Sequence, residues 1–387
     1  MNEVNLVCFI TNLAVAVLVG AFLLIIPALT RKSYLFGVKI PLEEHACSEA
    51  KNMKKRYATV CLLGTAVILA LTVIQFLIIP NITLVATMYF PLLFVAVQMA
   101  AFVPNWKQAV KLKEERGWKV SGSTFAETKS SHSRGNLSEL PWLWYALSLI
   151  LILASVIIAL VKYPGLPDNI PTHFDFNMQP DSWTEKSLLV VMMMPLINLA
   201  TTLMMWLVGF MIVRAKLQID PQNPVLSFAQ HHIYRRRMGH GMGFLTLGLA
   251  SMMALIGLTI LYPNVHFPFW LMIALIVIPT VPVVVIPIQS GQGGCKIKPK
   301  EIDPKTADKP YNQSISGDAV GRGDDKYWAL GLFYHNPDDP AYIVEDRFGS
   351  NFGFNYSRLP VKIGVIAALL AFVAVYTWIT VLMCSVL

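Results

Sequence analysis

The sequence predicts an all-α polytopic membrane protein of about eight transmembrane helices, and three observations support this. Hydrophobic residues make up 55% of the 387-residue chain and charged residues only 14%, whereas a soluble domain carries about 25% charged residues. Eight apolar runs are long enough to cross a hydrocarbon core of about 30 Å, which takes about 20 helical residues. Basic connectors alternate with nearly uncharged ones, as the positive-inside rule expects. Both termini are therefore predicted to lie outside the cell.

The eight apolar runs fix the order of the predicted helices. They lie at residues 4–30, 57–79, 83–103, 142–161, 188–213, 242–262, 267–289 and 361–387. The first run is expected to stay as a span, because no Lys or Arg precedes it and Arg31 and Lys32 follow it. Pro279, Pro282 and Pro287 interrupt the seventh run, which predicts a kinked or partly unwound helix.

The basic connectors are predicted to be cytoplasmic. Segments 31–57 and 214–239 are rich in Lys and Arg, and span three is expected to continue inward as a helix until Gly117 ends it. This distribution explains the net charge of +8 without nucleic acid as a partner. The five cysteines suggest neither a disulfide framework nor a metal-type spacing. The predicted location is the cytoplasmic membrane, with the lipid bilayer as a partner.

The chain divides by composition into six parts. A three-helix membrane region with a Ser-rich linker precedes a membrane domain with an outer loop, helices six and seven, a second linker, a small module and the last helix. Their predicted bounds are 1–141, 142–213, 214–289, 290–324, 325–358 and 361–387.

The part at 325–358 is predicted to be a small cytoplasmic β-hairpin module. Aromatic and polar residues alternate there around the turn signal NPDDP at 336–340. A unit of this size cannot bury a core alone. We therefore expect it to dock on the cytoplasmic face of the helices or on the apolar segment 35–41.

The segment 163–186 is the one sizeable stretch that the charge pattern puts outside. Its four prolines fix φ and remove backbone donors, so an ordered loop is expected rather than a helix. It also concentrates the carboxylate and imidazole groups of that side. The candidate residues for binding an external ligand are Pro164, Pro167, Asp168, Pro171, His173, Phe174, Asp181 and Trp183.

A metal site is a second interpretation of this loop. His173, Asp175 and Asp181 could hold a divalent metal together with His266 of the next outer turn, if folding gathered them. The alternative role for His173 is to donate to the loop's own carbonyl groups. No other cofactor is predicted.

The end of the loop matches a helix start. Ser182 and Glu185 fit the Ser-x-x-Glu capping box that precedes an apolar run. They are predicted to begin span five, with Trp183 in the interfacial aromatic belt.

The inner face carries its own candidates. Arg235, Arg236 and Arg237, next to two histidines, could contact a lipid head group or a cytoplasmic regulator. Orientation alone would also account for these charges. The following GHGMG at 239–243 is predicted to be a flexible start of span six.

Few polar residues lie inside the spans. No ionisable residue lies well inside the eight runs, which argues against proton-coupled transport. Hydrogen bonds between helices would explain the polar side chains that are present. These are Asn12, Gln75, Gln98 and Asn198.

Two segments resemble known bacterial families. The stretches LPDNIPTHF at 166–174 and PDSWTEK at 180–186 resemble the signature of a membrane-domain family of unknown function. That family includes immunity proteins that protect Bacillus cells from the Sdp sporulation-delaying toxin. The segment 325–358 looks like a second uncharacterised domain that often ends such proteins. The resemblance implies a non-enzymatic role in immunity, stress resistance or sensing.

Three functional hypotheses follow. The first is recognition of an external peptide, toxin or lipid by the loop at 163–186. The second is a metal-dependent membrane enzyme or metal binder on the outer face. The third is a transporter of a neutral solute.

Overall fold

The structure, a computed structural model, describes residues 3–118, 140–174, 180–215, 217, 219, 223–262, 265, 267–298, 322–349 and 352–386. Within these ranges, eight helices are long and apolar enough to cross a membrane. They are α1 Glu3–Leu29, α2 Ser48–Ile78, α3 Thr83–Glu115, α4 Trp142–Lys162, α5 Leu188–Arg214, α6 Pro224–Leu261, α7 Phe269–Ser290 and α8 Leu359–Val386. The prediction of an all-α polytopic membrane protein is confirmed.

Short antiparallel hairpins complete the described fold. The strands are β1 Tyr34–Leu35, β2 Val38–Lys39, β3 Asn169–Phe174, β4 Pro180–Glu185, β5 Trp328–Ala329, β6 Phe333–Tyr334, β7 Ile343–Glu345 and β8 Phe352–Phe354. Each strand pairs with its neighbour in sequence, giving four two-stranded sheets. The chain forms two compact units: unit 1 comprises 1–126, 216–222 and 317–387, and unit 2 comprises 127–215 and 223–316.

In unit 1, the segment 322–358 docks on the ends of the first three helices, as expected. The Phe348 ring lies 5.7 Å from that of Phe36, 5.8 Å from Tyr57 and 4.7 Å from Phe102. Because these rings come from the β1–β2 turn, α2 and α3, one side chain joins three elements. The module is too small to bury an apolar core alone, and these neighbouring rings complete one.

The β1–β2 turn is shaped for this contact. Phe36 and Gly37 both have positive φ, 45° and 78°, as in the type I′ turns that suit two-residue hairpins. A Cβ on Gly37 would lie 2.4 Å from the carbonyl oxygen of Gly331. Glycine is therefore needed at position 37 for the turn and for the close approach of the module.

Charged groups strengthen the docking. Arg347 is fully buried and donates to the carbonyls of Gly37 at 3.1 Å and Arg322 at 2.9 Å. Asp325 accepts from Arg347 at 2.5 Å and from Lys113 of α3 at 2.6 Å. Such hydrogen bonds to ionised groups are stronger than neutral ones. They fix the module against both β1–β2 and the end of α3.

Asp346 in this module makes stability depend on pH. The pKa of its carboxyl is raised to about 7, mainly by burial; the Arg347 backbone N–H partly opposes this rise, and the charge of the neighbouring Glu345 adds to it. Between about pH 4 and 7 the folded protein therefore binds more protons than the unfolded chain, so stability falls as pH rises through that window.

Asp346→Asn should remove this penalty. Asp346 is only half-buried, so a gain of about 1–2 kcal/mol is expected at pH 8, well below the full value of its pKa shift. At pH 4 almost no gain is expected. Thermal unfolding of full-length protein at both pH values checks this, and an equal effect at the two would contradict it.

One prediction about helix regularity is wrong, and another is tested only in part. Helix α7 runs without interruption from Phe269 to Ser290 through its three prolines, so it is not partly unwound, and the alternative of a kink stays a prediction. Helix α6 begins at Pro224, so residues 239–243 lie inside a helix and not in a flexible start. A Cβ on Gly243 would lie 2.7 Å from Cδ1 of Trp144, which shows that glycine here serves close packing of α4 on α6.

Polar residues inside the helices join helices to one another, as expected. The Asn12 side chain of α1 donates to Thr87 of α3 at 2.9 Å. The Asn198 side chain of α5 donates to the Ala250 carbonyl of α6 at 3.0 Å. Helix α3 also extends to Glu115, and Gly117 follows with a φ of 60°, as predicted.

Candidate functional site

The predicted outer loop is a β-hairpin mounted on helix ends of unit 2. Helix α4 ends at Lys162, a short turn follows at Tyr163–Gly165, and β3 begins at Asn169. Ile170 is fully buried against Ala159 of α4 and Val191 of α5, in a cluster that also includes Ile260 of α6. For the described residues of this segment, the prediction of an ordered loop that is not a continuous helix is confirmed, and its base is part of the helix core.

Lys186 forms a second anchor at the base of the hairpin. Its ammonium group donates to the Leu166 carbonyl at 2.7 Å and lies 5.7 Å from the centre of the Tyr163 ring. Its backbone N–H donates to the Asp168 carbonyl at 2.7 Å. The two chain ends of the hairpin are thereby held together beside α5.

The predicted capping box is wrong. Ser182 and Glu185 belong to strand β4, while the helix start is at Ser187, whose hydroxyl oxygen accepts from the Val190 N–H at 3.2 Å. The apolar run begins only at Leu188, so the serine directly before it is the one placed to cap.

Strand β4 forms the outer side of the hairpin. Strand β3 contacts α6, whereas residues 182–185 of β4 are all exposed. Trp183 leaves 55% of its surface accessible. The Trp183 indole is therefore accessible on the outer side of a well-anchored hairpin.

The register shows which backbone groups of β4 face away from β3. Hydrogen-bonded and non-hydrogen-bonded pairs alternate along an antiparallel ladder. Lys186 donates to Asp168, so Ile170 and Thr184 form the next hydrogen-bonded pair. Trp183 and Glu185 then direct their N–H and C=O groups away from β3. Pro171, which lies opposite Trp183, fits this register because it has no N–H to donate.

The other candidates differ in position. Pro164, Pro167 and Asp168 are exposed around the base of the hairpin, whereas Pro171 is buried and Phe174 is half-buried against the helix cluster. Pro171 and Phe174 therefore hold the hairpin in place, and the exposed residues are the ones accessible to a ligand.

The residues of the metal hypothesis are described only in part. His173 and Asp181 are in strands β3 and β4, and the conformation of their side chains is outside the description. Asp175 and His266 lie outside the described residues. Across the ranges that the structure covers, no group of three or more His, Cys, Asp or Glu could hold a metal ion.

The three candidate arginines of α6 divide into two kinds. Arg235 is buried, with 7% of its surface exposed, and donates to the Val213 carbonyl at 2.9 Å and to the Ala215 carbonyl. It thus satisfies carbonyls at the end of α5, and the predicted lipid or partner contact of the three arginines stays a prediction. Arg236 and Arg237 are exposed.

Arg236 and Arg237 open onto a cleft of about 690 Å³ between α4, α6 and α7. Its lining comprises Trp144, His232, Ile233, Arg236, Arg237, His240, Gly241, Phe244, Pro282 and Ile286. The Trp144 indole N–H donates to Nδ1 of His240 at 3.2 Å. Sequence patterns did not indicate this cleft, because its residues come from three helices distant in the chain.

A family model for a domain of unknown function, DUF1648, matches residues 150–199. The match includes the C-terminal half of α4, the whole hairpin and the first part of α5. No curated protein and no solved structure matches the chain. The resemblance to immunity proteins and to a second C-terminal domain stays a prediction.

Proposed function

We propose that this integral membrane protein is a non-enzymatic receptor in which strand β4 pairs with an extended peptide from outside the cell. The observation that carries the proposal is the outer edge of β4, on which no further strand pairs among the described residues, with the backbone groups of Trp183 and Glu185 directed away from β3. An extended peptide can add a strand to such an edge through main-chain hydrogen bonds.

The anchoring of the hairpin supports this role. Ile170 is buried in the helix cluster and Lys186 joins the hairpin's two ends. A binding edge held in place before the ligand arrives loses less conformational freedom on binding. The Trp183 indole adds apolar area beside the edge, and aromatic residues of this kind often dominate binding energy.

The charge pattern supports an external ligand. In unit 2, the hairpin contacts the C-terminal end of α6, while the arginines lie near its N-terminal half. Because basic ends of membrane helices face the cytoplasm, the hairpin end faces outward. A membrane-active peptide is the class of ligand that a role in immunity or stress resistance implies.

Glu185→Pro tests the edge directly. Proline removes the outward N–H of residue 185 and leaves the Ile170–Thr184 pair intact, and proline is tolerated on edge strands. Loss of a main-chain hydrogen bond should weaken peptide protection about tenfold. The measurement is the growth-inhibiting concentration of a panel of membrane-active peptides for cells that lack the gene and express each variant.

Two control variants distinguish the effect of the Glu185 backbone N–H from that of its side chain. Glu185→Ala keeps the N–H and should protect nearly as well as wild type, whereas Thr184→Pro breaks the hairpin's own ladder and should abolish protection. Equal protection by Glu185→Pro and wild type would refute strand addition. Equal sensitivity of cells with and without the wild-type protein to every peptide would refute the receptor role.

A further inference from the structure

We infer that the cleft at Arg236 and Arg237 binds a phosphate-bearing amphiphile, with the phosphate on the two guanidinium groups and an acyl chain on the apolar floor. The inference does not depend on the hairpin's function, because the cleft lies toward the opposite end of α6. It also differs from general attraction of basic residues to the bilayer, since it requires a shaped site.

The cleft lies at the depth of lipid phosphates. The stretch 242–261 of α6 contains no charged residue, and its 20 residues rise about 30 Å, which matches a hydrocarbon core. Arg236 and Arg237 come five to six residues earlier, about 8 Å beyond the end of that core. The head-group region of a bilayer occupies that level.

The charges of the cleft select an anion. Its lining includes two arginines and two histidines, and none of the described residues that line it is acidic. Arginine presents a planar fork of donors that matches phosphate geometry. Because Nδ1 of His240 accepts from Trp144, a neutral His240 carries its proton on Nε2 and is a further donor.

The floor of the cleft suits a hydrocarbon chain. Phe244, Pro282 and Ile286 line its apolar part. A Cβ on Gly241 would lie 3.3 Å from Cδ1 of Ile286, so a larger residue would narrow the space between α6 and α7. An ion without an apolar tail would leave this floor unused, which favours an amphiphile over free phosphate.

The three adjacent arginines of α6 have different surroundings in the fold. Arg235 is occupied with α5 carbonyls, while its two neighbours face the cleft. Orientation of the chain in the membrane requires basic residues only on the correct side. It does not require that two of them line a cleft together with Phe244, Pro282 and Ile286.

Native mass spectrometry of the full-length protein in neutral detergent tests the inference. The probes are phosphatidylglycerol, phosphatidylcholine and inorganic phosphate. Wild-type protein should bind one phosphatidylglycerol more tightly than either other probe. Arg236→Gln and Arg237→Gln should each weaken that binding about tenfold, because each loses a charge-assisted contact.

Matched variants make the outcome decisive. Arg56 is an exposed arginine on α2 and does not line the cleft, so Arg56→Gln should leave binding unchanged. Arg236→Lys keeps the charge but loses the fork, and an intermediate affinity is expected. Equal binding by wild type and the Arg236→Gln/Arg237→Gln double variant would overturn the inference. If inorganic phosphate bound as tightly as phosphatidylglycerol, the claim that the ligand is an amphiphile would be overturned.

Discussion

Phe348→Ala is expected to release the module 322–358 from the first three helices. The side chain is 5% exposed and contacts aromatic rings of the β1–β2 turn, α2 and α3. Removing a buried phenylalanine ring costs about 3–5 kcal/mol, since apolar burial is lost and a cavity remains. The module should then become cleavable by protease at protein concentrations and temperatures where wild type resists.

Phe333→Ala is the matched control for this experiment. Phe333 lies in the same module, but it is 41% exposed and its ring contacts that of Tyr356. Its replacement should change stability by about 1 kcal/mol or less. If both variants were cleaved at the same rate, Phe348 would not be the residue that docks the module.

Arg322→Met is expected to have a similarly large effect through a buried charge. Arg322 donates to both carboxylate oxygens of Asp339, at 2.5 and 2.7 Å, and the side chains are 2% and 0% exposed. Burial acts to raise the pKa of Asp339, but Arg322, together with hydrogen bonds from the Ala341 N–H and Tyr334, lowers the pKa below its usual value. Without Arg322 a buried carboxylate is left without its counter-ion, which costs about 3–5 kcal/mol.

A double variant distinguishes charge from packing in this pair. Arg322→Met with Asp339→Leu leaves no isolated charge, so part of the lost stability should return. Because Trp328 is one of nine tryptophans, protease resistance of the module, and not tryptophan fluorescence, is the measurement. A double variant less stable than Arg322→Met would contradict the charge explanation.

An exposed ion pair in the same module provides the comparison. Lys326 and Asp324 are 3.3 Å apart with side chains 64% and 40% exposed. Lys326→Ala should leave the protease resistance of the module close to that of wild type, because water screens such pairs. A large effect of Lys326→Ala would mean that the number of ion pairs, and not their burial, determines the stability of the module.

The helices could be predicted from sequence because the membrane imposes their length and composition. The docking of 325–358 on 35–41 could be predicted as well, since an apolar loop and a coreless module each need a partner. The start of α6 at Pro224 could not be predicted from sequence. Its N-terminal half carries polar residues and glycines, which local rules assign to a loop. Only packing against α4 shows why Gly243 stays helical.

Local sequence patterns also failed where two residues of the same type were candidates for one role. Ser182 and Ser187 both precede α5, but Ser182 pairs within strand β4, whereas Ser187 lies directly before the apolar run and caps the helix. Arg235 and Arg236 are identical in sequence terms. Their positions on the helix circumference, about 100° apart, place one under α5 and the other at the cleft.

The contacts at the end of α1 bear on how the chain is made. Arg31 pairs with Glu345, 314 positions later, and Gly349 donates to Thr30 across 319 positions. At about 5–20 residues per second of synthesis, α1 to α3 wait roughly 15–60 s for these partners. Until then the aromatic surface later covered by Phe348 is open to chaperones and proteases. A ribosome that stops before residue 322 leaves it uncovered, so truncated chains should be degraded rapidly.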